Sequence, residues 1–247
     1  MRILALDSSF DPCGLALVDE GGIVASMSFR HERDLSRWWA IRLRWLMSEI
    51  GWTVKDLDGF AVCHGPGSFT GLRIGVAVLK TMAQALQKPI LGISSLELIV
   101  LPYRAAWPGT ILSILPCRKG EVYRAAYAEG GTLLRDPAVR TLDELYAEIE
   151  VLPQPLLVTG DVGPKDAMNL PAEVRRGDSW LGLPNVEVLA REGHRRLSAG
   201  EGIDPFALNV LYLKRSQAEE QLEAHKRGEP LDPSSYLTVV KPSGDAG

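Results

Sequence analysis

The sequence predicts an α/β protein built on mixed sheets, and three observations carry that reading. Short apolar runs broken by turn residues open the chain in a strand, turn, strand, turn, strand rhythm over residues 2–29. Helices alternate with single strands over residues 35–93, and after Pro102 the pattern begins again. Both halves therefore read as α/β, with a boundary near residues 101–109. The opening β-β-β-α-β-α order points to antiparallel first strands and not to repeated βαβ units.

Residues 2–6 form the first strand, residues 7–12 a polar turn, and residues 14–18 the returning strand. Gly21 and Gly22 turn it into a third strand at 23–29. A helix is expected over residues 35–50, with Asp34 as N-cap and Gly51 as the C′ stop. Strand 57–63, helix 72–86 and strand 90–93 follow, and the last runs into a helix start at Ser94 with Glu97 as capping partner. In the second half, strands 110–115 and 121–128 flank the turn Cys117-Arg118-Lys119-Gly120. A helix at 142–149, a strand at 156–159 closed by Gly160-Asp161, a short strand at 186–188 and a helix at 192–199 complete the reading. The Gly-, Pro- and Asp-rich tail after Arg227 reads as loosely ordered.

Bulk properties exclude several classes. The 247 residues suffice for two small domains, and 46% hydrophobic against 23% charged residues is an ordinary globular balance. A net charge of −4 gives no general reason to expect a free-standing nucleic-acid binder. Cys13, Cys63 and Cys117 are odd in number and widely spaced, which fits a reducing cytosol and gives no metal-ligand cadence. The first apolar run, residues 3–6, meets Asp7 at once, so no signal peptide is expected; no run approaches a membrane span. A cytoplasmic protein is the expectation.

The stretch GPGSFTGLRIG at 65–75 is a glycine-rich turn running into a helix. Gly65, Gly67 and Gly71 permit backbone geometries or close approaches that a Cβ would obstruct, and Pro66 stiffens the turn. Two uses remain open: an anion held on backbone N–H groups, or a tight joint that lets a helix lie close to a sheet or partner. With Ser68, Phe69 and Thr70 between the glycines and no Lys before a Ser or Thr, the turn is not a P-loop.

The 35–50 helix has two apolar faces. Leu35, Trp39, Leu43, Leu46 and Ile50 share one sector and should face the sheet. Trp38, Ile41 and Trp45 fall roughly opposite, flanked by Arg37, Arg42 and Glu49. That second stripe fits contact with another helix, the chain's own 72–86 helix or a partner's, and its residue types are those of interface hot spots. Gly71 and Gly75, four apart, would let a neighbouring helix approach closely.

Catalytic chemistry is sparse. Asp7, Ser8 and Ser9 follow the first strand, where they could meet a metal-bound water or phosphate; an Asx turn or cap at this bend is the favoured reading. His31 lies in a charged run, His64 touches the glycine turn with no carboxylate placed to orient it, and His194 and His225 are isolated. No HxxxH, HExxH or CxxC occurs, and Ser68 lacks a GxSxG elbow.

The segments ILALDSS at 3–9, CGLALV at 13–18, residues 57–86 around GPGSFTGLRIG, GISSLE at 92–97 and RKGEVYRAAY at 118–127 resemble the TsaB (YeaZ) family. DPFALNVLYLKR at 204–215 resembles that family's closing motif, with Tyr212, Leu213 and Lys214 or Arg215 filling it. The resemblance implies an actin-like ATPase (ribonuclease H-like) fold of two related lobes: an N-terminal lobe at 1–105, a smaller one at 106–217, and a tail at 218–247, partly helical or loosely ordered. It also implies a non-catalytic accessory subunit for threonylcarbamoyl transfer to the adenosine next to the anticodon of tRNAs reading codons that begin with A.

In that family the catalytic partner is a glycoprotease-like TsaD subunit that carries the metal-binding histidines, and a TsaE-like ATPase docks on the same assembly. The resemblance thus implies no intrinsic cofactor, ATP or ADP only at the assembled complex, tRNA met only through it, and a homodimer when the partner is absent. It assigns the partner contact to Trp38, Ile41, Arg42, Trp45, Gly71, Gly75, Val78 and Met82. This chain departs from the family at His31-Glu32-Arg33-Asp34 with Trp38-Trp39, and at Pro116-Cys117, where Asp-Ala is usual. Competing readings are a nucleotide-binding ATPase with Gly160-Asp161-Val162-Gly163 as its second phosphate loop, a peptidase, or a self-contained homodimer.

Overall fold

The computed structural model describes residues 1–30, 35–118, 120–161 and 169–214, the side chains of residues 35–38 excepted. His31, Asp34, Lys119, Val162, Gly163, Arg215, His225 and the 218–247 tail lie outside the described residues, as do the side chains of Arg37 and Trp38.

Strands β1 (Ile3–Asp7), β2 (Cys13–Asp19) and β3 (Gly22–Phe29) form an antiparallel meander. Strands β4 (Gly59–Gly65) and β5 (Ile90–Ser94) add to its other side parallel to β1, in the order β3-β2-β1-β4-β5. Period-two alternation assigns β1 to two cores at once. Leu4 and Leu6 pack with Phe60 and Val62 beneath helices α1 (Leu35–Glu49) and α2 (Phe69–Leu86). Ile3 and Ala5 face the opposite way, with Ala61 and Cys63, onto Val186, Leu189, Ala190 and Leu197 of a later helix. Burial on both faces is why β1 and β4 are almost continuously apolar.

After the short helix α3 (Ser95–Leu98), the second sheet has the order β10-β9-β6-β7-β8. Its strands are β6 (Thr110–Pro116), β7 (Glu121–Tyr127), β8 (Leu133–Thr141), β9 (Leu156–Gly160) and β10 (Arg175–Arg176). Helix α4 (Leu142–Val151) covers one face through Leu145 and Ile149, capped by Thr141 and Glu144 in a reciprocal box. Helix α3 and the following turn supply Leu96, Ile99 and Val100 to the other face. Both sheets are open, mixed and flanked by helices.

Three elements differ from expectation, the two-residue edge strand β10 among them. The stretch expected as a strand at 186–188 is the first turn of α5 (Val186–Ser198), because the Asn185 side chain accepts from the backbone N–H groups of Glu187 and Val188. Val-Glu-Val mimics strand alternation, but Val186, Leu189, Ala190, Gly193 and Leu197 recur at helical spacing and bury one face. Strand β8 was not expected: it is a largely exposed edge strand interrupted by Pro137, so no buried period marks it.

If the Asn185 cap decides strand against helix here, Asn185→Ala should cost about 1 kcal/mol of stability. Urea unfolding should show the midpoint fall with no change in slope.

Candidate functional site

The glycine-rich turn joins β4 to α2 and presses against the turn leaving β1. Ser68 caps α2, accepting from the Gly71 N–H at 3.2 Å. Its own backbone N–H donates to the Ser9 carbonyl at 2.7 Å. The Ser8 hydroxyl donates to the Gly71 carbonyl at 2.8 Å, and Ser95 donates to the Pro66 carbonyl at 2.5 Å. A Cβ at Gly71 would run into the Ser8 carbonyl oxygen, and one at Gly75 into the Ser8 hydroxyl and the Leu6 side chain. Gly71 and Gly75 therefore face the chain's own first strand. Their small size is used inside the chain.

Beneath this joint Asp7 is buried, and its Oδ1 accepts from the Ser9 N–H at 2.9 Å and the Ser9 hydroxyl at 2.6 Å, closing an Asx turn. Burial raises the Asp7 carboxyl above its ordinary range, against the lowering effect of the Ser9 bonds and a Cys63 thiol. Burial also pushes the Cys13 thiol up to about 12, with the charges of Asp7 and Asp11 adding to it, and Cys63 upward too. The hydroxyls of Ser8 and Ser9 are thus both engaged within the fold.

The closing segment 203–213 runs over the same joint. The Leu211 N–H donates to the His64 carbonyl at 2.8 Å, and His64 Nδ1 lies 3.1 Å from the Asn209 carbonyl. Burial lowers the His64 imidazole below its ordinary range, opposed by that backbone bond. Lys80 donates to the Leu208 carbonyl at 2.8 Å. Arg73 donates to the Tyr212 hydroxyl at 3.0 Å and lies 3.9 Å from the Phe69 ring centre, while the two rings stand 5.1 Å apart. Phe69 and Tyr212 thereby tie the glycine-rich turn to the closing segment.

Between α1 and α2 opens an apolar cleft of about 800 Å³. Leu6 and Leu15 form its floor, Trp39, Leu43 and Met47 one wall, and Val78 and Met82 the other. Trp39 is buried, and its Nε1 has no hydrogen-bond partner among the described residues. On the outward side of α1, Trp45 and Ile41 are 52% and 43% exposed. Arg42 stacks on Phe29 at 3.6 Å from the ring centre.

The sequence had assigned no site role to Met47, Trp52, Thr53 or Val54, which also line the cleft. The apolar residues directly after the Gly51 stop were the available signal. Among the described residues, no group of three or more His, Cys, Asp or Glu could hold a metal ion. No helix among them is long and apolar enough to cross a membrane.

Comparison with known proteins aligns with this architecture. The family profile described as "TsaD: tRNA N6-adenosine threonylcarbamoyltransferase" matches residues 17–170. The tRNA threonylcarbamoyladenosine biosynthesis protein TsaB of Escherichia coli is 30% identical over 232 residues, covering 90% of this chain and 93% of that protein. The protein of the same name from Bacillus subtilis is 35% identical over 134 residues, spanning 54% of this chain and 58% of its own length. Among solved structures, YeaZ from Pseudomonas aeruginosa superposes with a TM-score of 0.67 at 27% identity, over 85% of this chain and all of that one (100%). The two open mixed sheets flanked by helices are the actin-like architecture of such homologues.

Two substitutions test the joint. Gly71→Ala should lower the unfolding free energy by about 2 kcal/mol, although alanine is the better helix former by about 1 kcal/mol, because the obstructing atom is backbone. Asp7 is raised in the folded state, so its contribution is greatest below the ordinary carboxylate range and falls as pH rises toward its folded value. Asp7→Asn keeps an acceptor for Ser9 and should melt higher than the native protein at pH 7. In thermal melts from pH 3 to 7, that advantage should vanish at the acid end.

Proposed function

The chain belongs to the TsaB (YeaZ) family, and on that footing we propose that it is an accessory subunit in tRNA threonylcarbamoyladenosine synthesis, binding and activating a TsaD-like catalytic subunit. The cleft between α1 and α2 carries this reading. It exposes apolar side chains and sits beside the exposed Trp45 and Ile41.

A partner helix laid along α1 and α2 would fill the cleft and cover the second apolar stripe of α1. The contact would comprise Ile41, Trp45, Val78 and Met82 with Trp39, and would include Trp38 and Arg42. Binding energy spent in this way favours whichever arrangement of the catalytic subunit matches the surface. The chain takes no chemical step itself in this role, and tRNA is met only on the assembled complex. A TsaE-like ATPase docks on the same assembly, with ATP or ADP near the junction, and a second copy of the chain would cover the surface when the partner is absent. The commitment of the Ser8 and Ser9 hydroxyls within the fold favours this reading over an ATPase or a peptidase.

Titration calorimetry of the chain against the catalytic subunit tests the surface. Trp45→Ala combined with Ile41→Ala should weaken binding by about thirtyfold, the loss expected of a 2 kcal/mol hot spot, with the thermal melt of the free protein unchanged. Native affinity in a folded double variant would remove the surface from consideration.

A further inference from the structure

A second cleft, of about 660 Å³, opens far along the chain from the α1–α2 surface, where the start of α5 meets the stretch after Leu101. Its walls combine Leu101 and Pro102 with the indole of Trp180 and the guanidinium groups of Arg104, Arg191 and Arg195. Trp180 sits on the one-turn helix Ser179–Leu181 and is 77% exposed, an unusual position for so large an apolar ring. The turn that presents it is anchored: the Asp178 N–H donates to the Tyr103 hydroxyl at 2.7 Å, and the Leu181 N–H to the Asp178 carbonyl at 3.0 Å. The indole is therefore held out on a tied loop.

Charge decides what such a ring could meet. Two carboxylates line the cleft, Glu187 and Glu192, and both are engaged. Glu187 accepts from the Ser26 hydroxyl at 2.6 Å. Glu192 takes two bonds from Arg195, at 2.8 and 2.7 Å, with Arg104 at 3.6 Å. Burial alone would raise the Glu192 carboxyl, but the bond to Arg195 and the charges of Arg104 and Arg196 hold it below its ordinary range. Arg191 makes no ion pair or hydrogen bond among the described residues, and its Nη1 lies beside the β2–β3 turn at Gly22. The cleft thus offers a flat aromatic face, a guanidinium with no partner among the described residues, and an excess of positive charge in a chain whose net charge is −4.

We propose that this cleft takes an unpaired nucleotide of RNA, with its base stacked on Trp180 and its phosphate on Arg191. An aromatic platform beside an unpaired arginine is the chemistry that binds single-stranded nucleic acid with little sequence preference. The identification of the RNA as tRNA rests on the accessory role proposed above. The contact then adds to the tRNA affinity of the assembled complex; it does not make the free chain an RNA binder, in keeping with its acidic balance.

The test uses the chain assembled with its catalytic subunit and an unmodified transcript of a tRNA reading a codon that begins with A. Trp180→Ala should weaken tRNA binding by about tenfold, the effect of losing one stacked base, and Trp180→Phe should restore most of it. Arg191→Glu should weaken binding and make its salt dependence shallower by about one unit of slope. Native tRNA affinity in both Trp180→Ala and Arg191→Glu would overturn the proposal. So would variants that lose the catalytic subunit instead of the tRNA, since the cleft would then be a protein contact. If transfer still requires the chain while these variants bind tRNA normally, only the cleft assignment fails and the accessory role stands.

Discussion

Helix α2 lies directly on the turn that leaves β1, and that closeness rests on positions without a side chain. Gly71 and Gly75 meet Ser8 and Leu6 with no room for a Cβ, and the Ser8 hydroxyl closes the contact by donating to the Gly71 carbonyl. The same joint supports the cap at Ser68, the buried Asx turn of Asp7, and the path of the closing segment over His64. Relaxing it would lift α2 from the sheet and remove the wall that Val78 and Met82 give to the cleft.

With α2 held down, α1 cannot satisfy all of its apolar surface inside the chain. Trp39, Leu43, Leu46 and Met47 reach the sheet, while Ile41 and Trp45 remain outside. A fold whose only task was to be stable would place charge at those positions. Apolar surface kept in water beside an apolar cleft is the observation on which the proposed interface rests. Activation by an accessory chain needs no more chemistry than this: differential binding to one arrangement of the catalytic subunit.

Much of this was legible in the residues. Alternation and turn chemistry located the opening meander, and helical spacing separated the two faces of α1, because burial on one side imposes a period. The glycine-rich turn was visible as a special joint, but composition could not say whether its glycines faced a ligand, a partner helix or the chain itself. Only the position of Ser8 decides that, and Ser8 is some sixty residues away in sequence, 63 from Gly71. Strand β8 was silent because an exposed edge strand has no buried period. The start of α5 was misread because three residues, Val-Glu-Val, fit a strand as well as a helix until the Asn185 cap is seen. The Trp180 cleft was also hidden, since Trp180, Arg104 and the two arginines of α5 come from three separate stretches of the chain.

The most direct measurement is threonylcarbamoyl transfer to tRNA by purified catalytic and ATPase subunits, supplied with the threonylcarbamoyl donor, with and without this chain. An accessory role requires that turnover depend on the chain and that the chain alone turn over nothing. Equal turnover when the chain is omitted would contradict the accessory role.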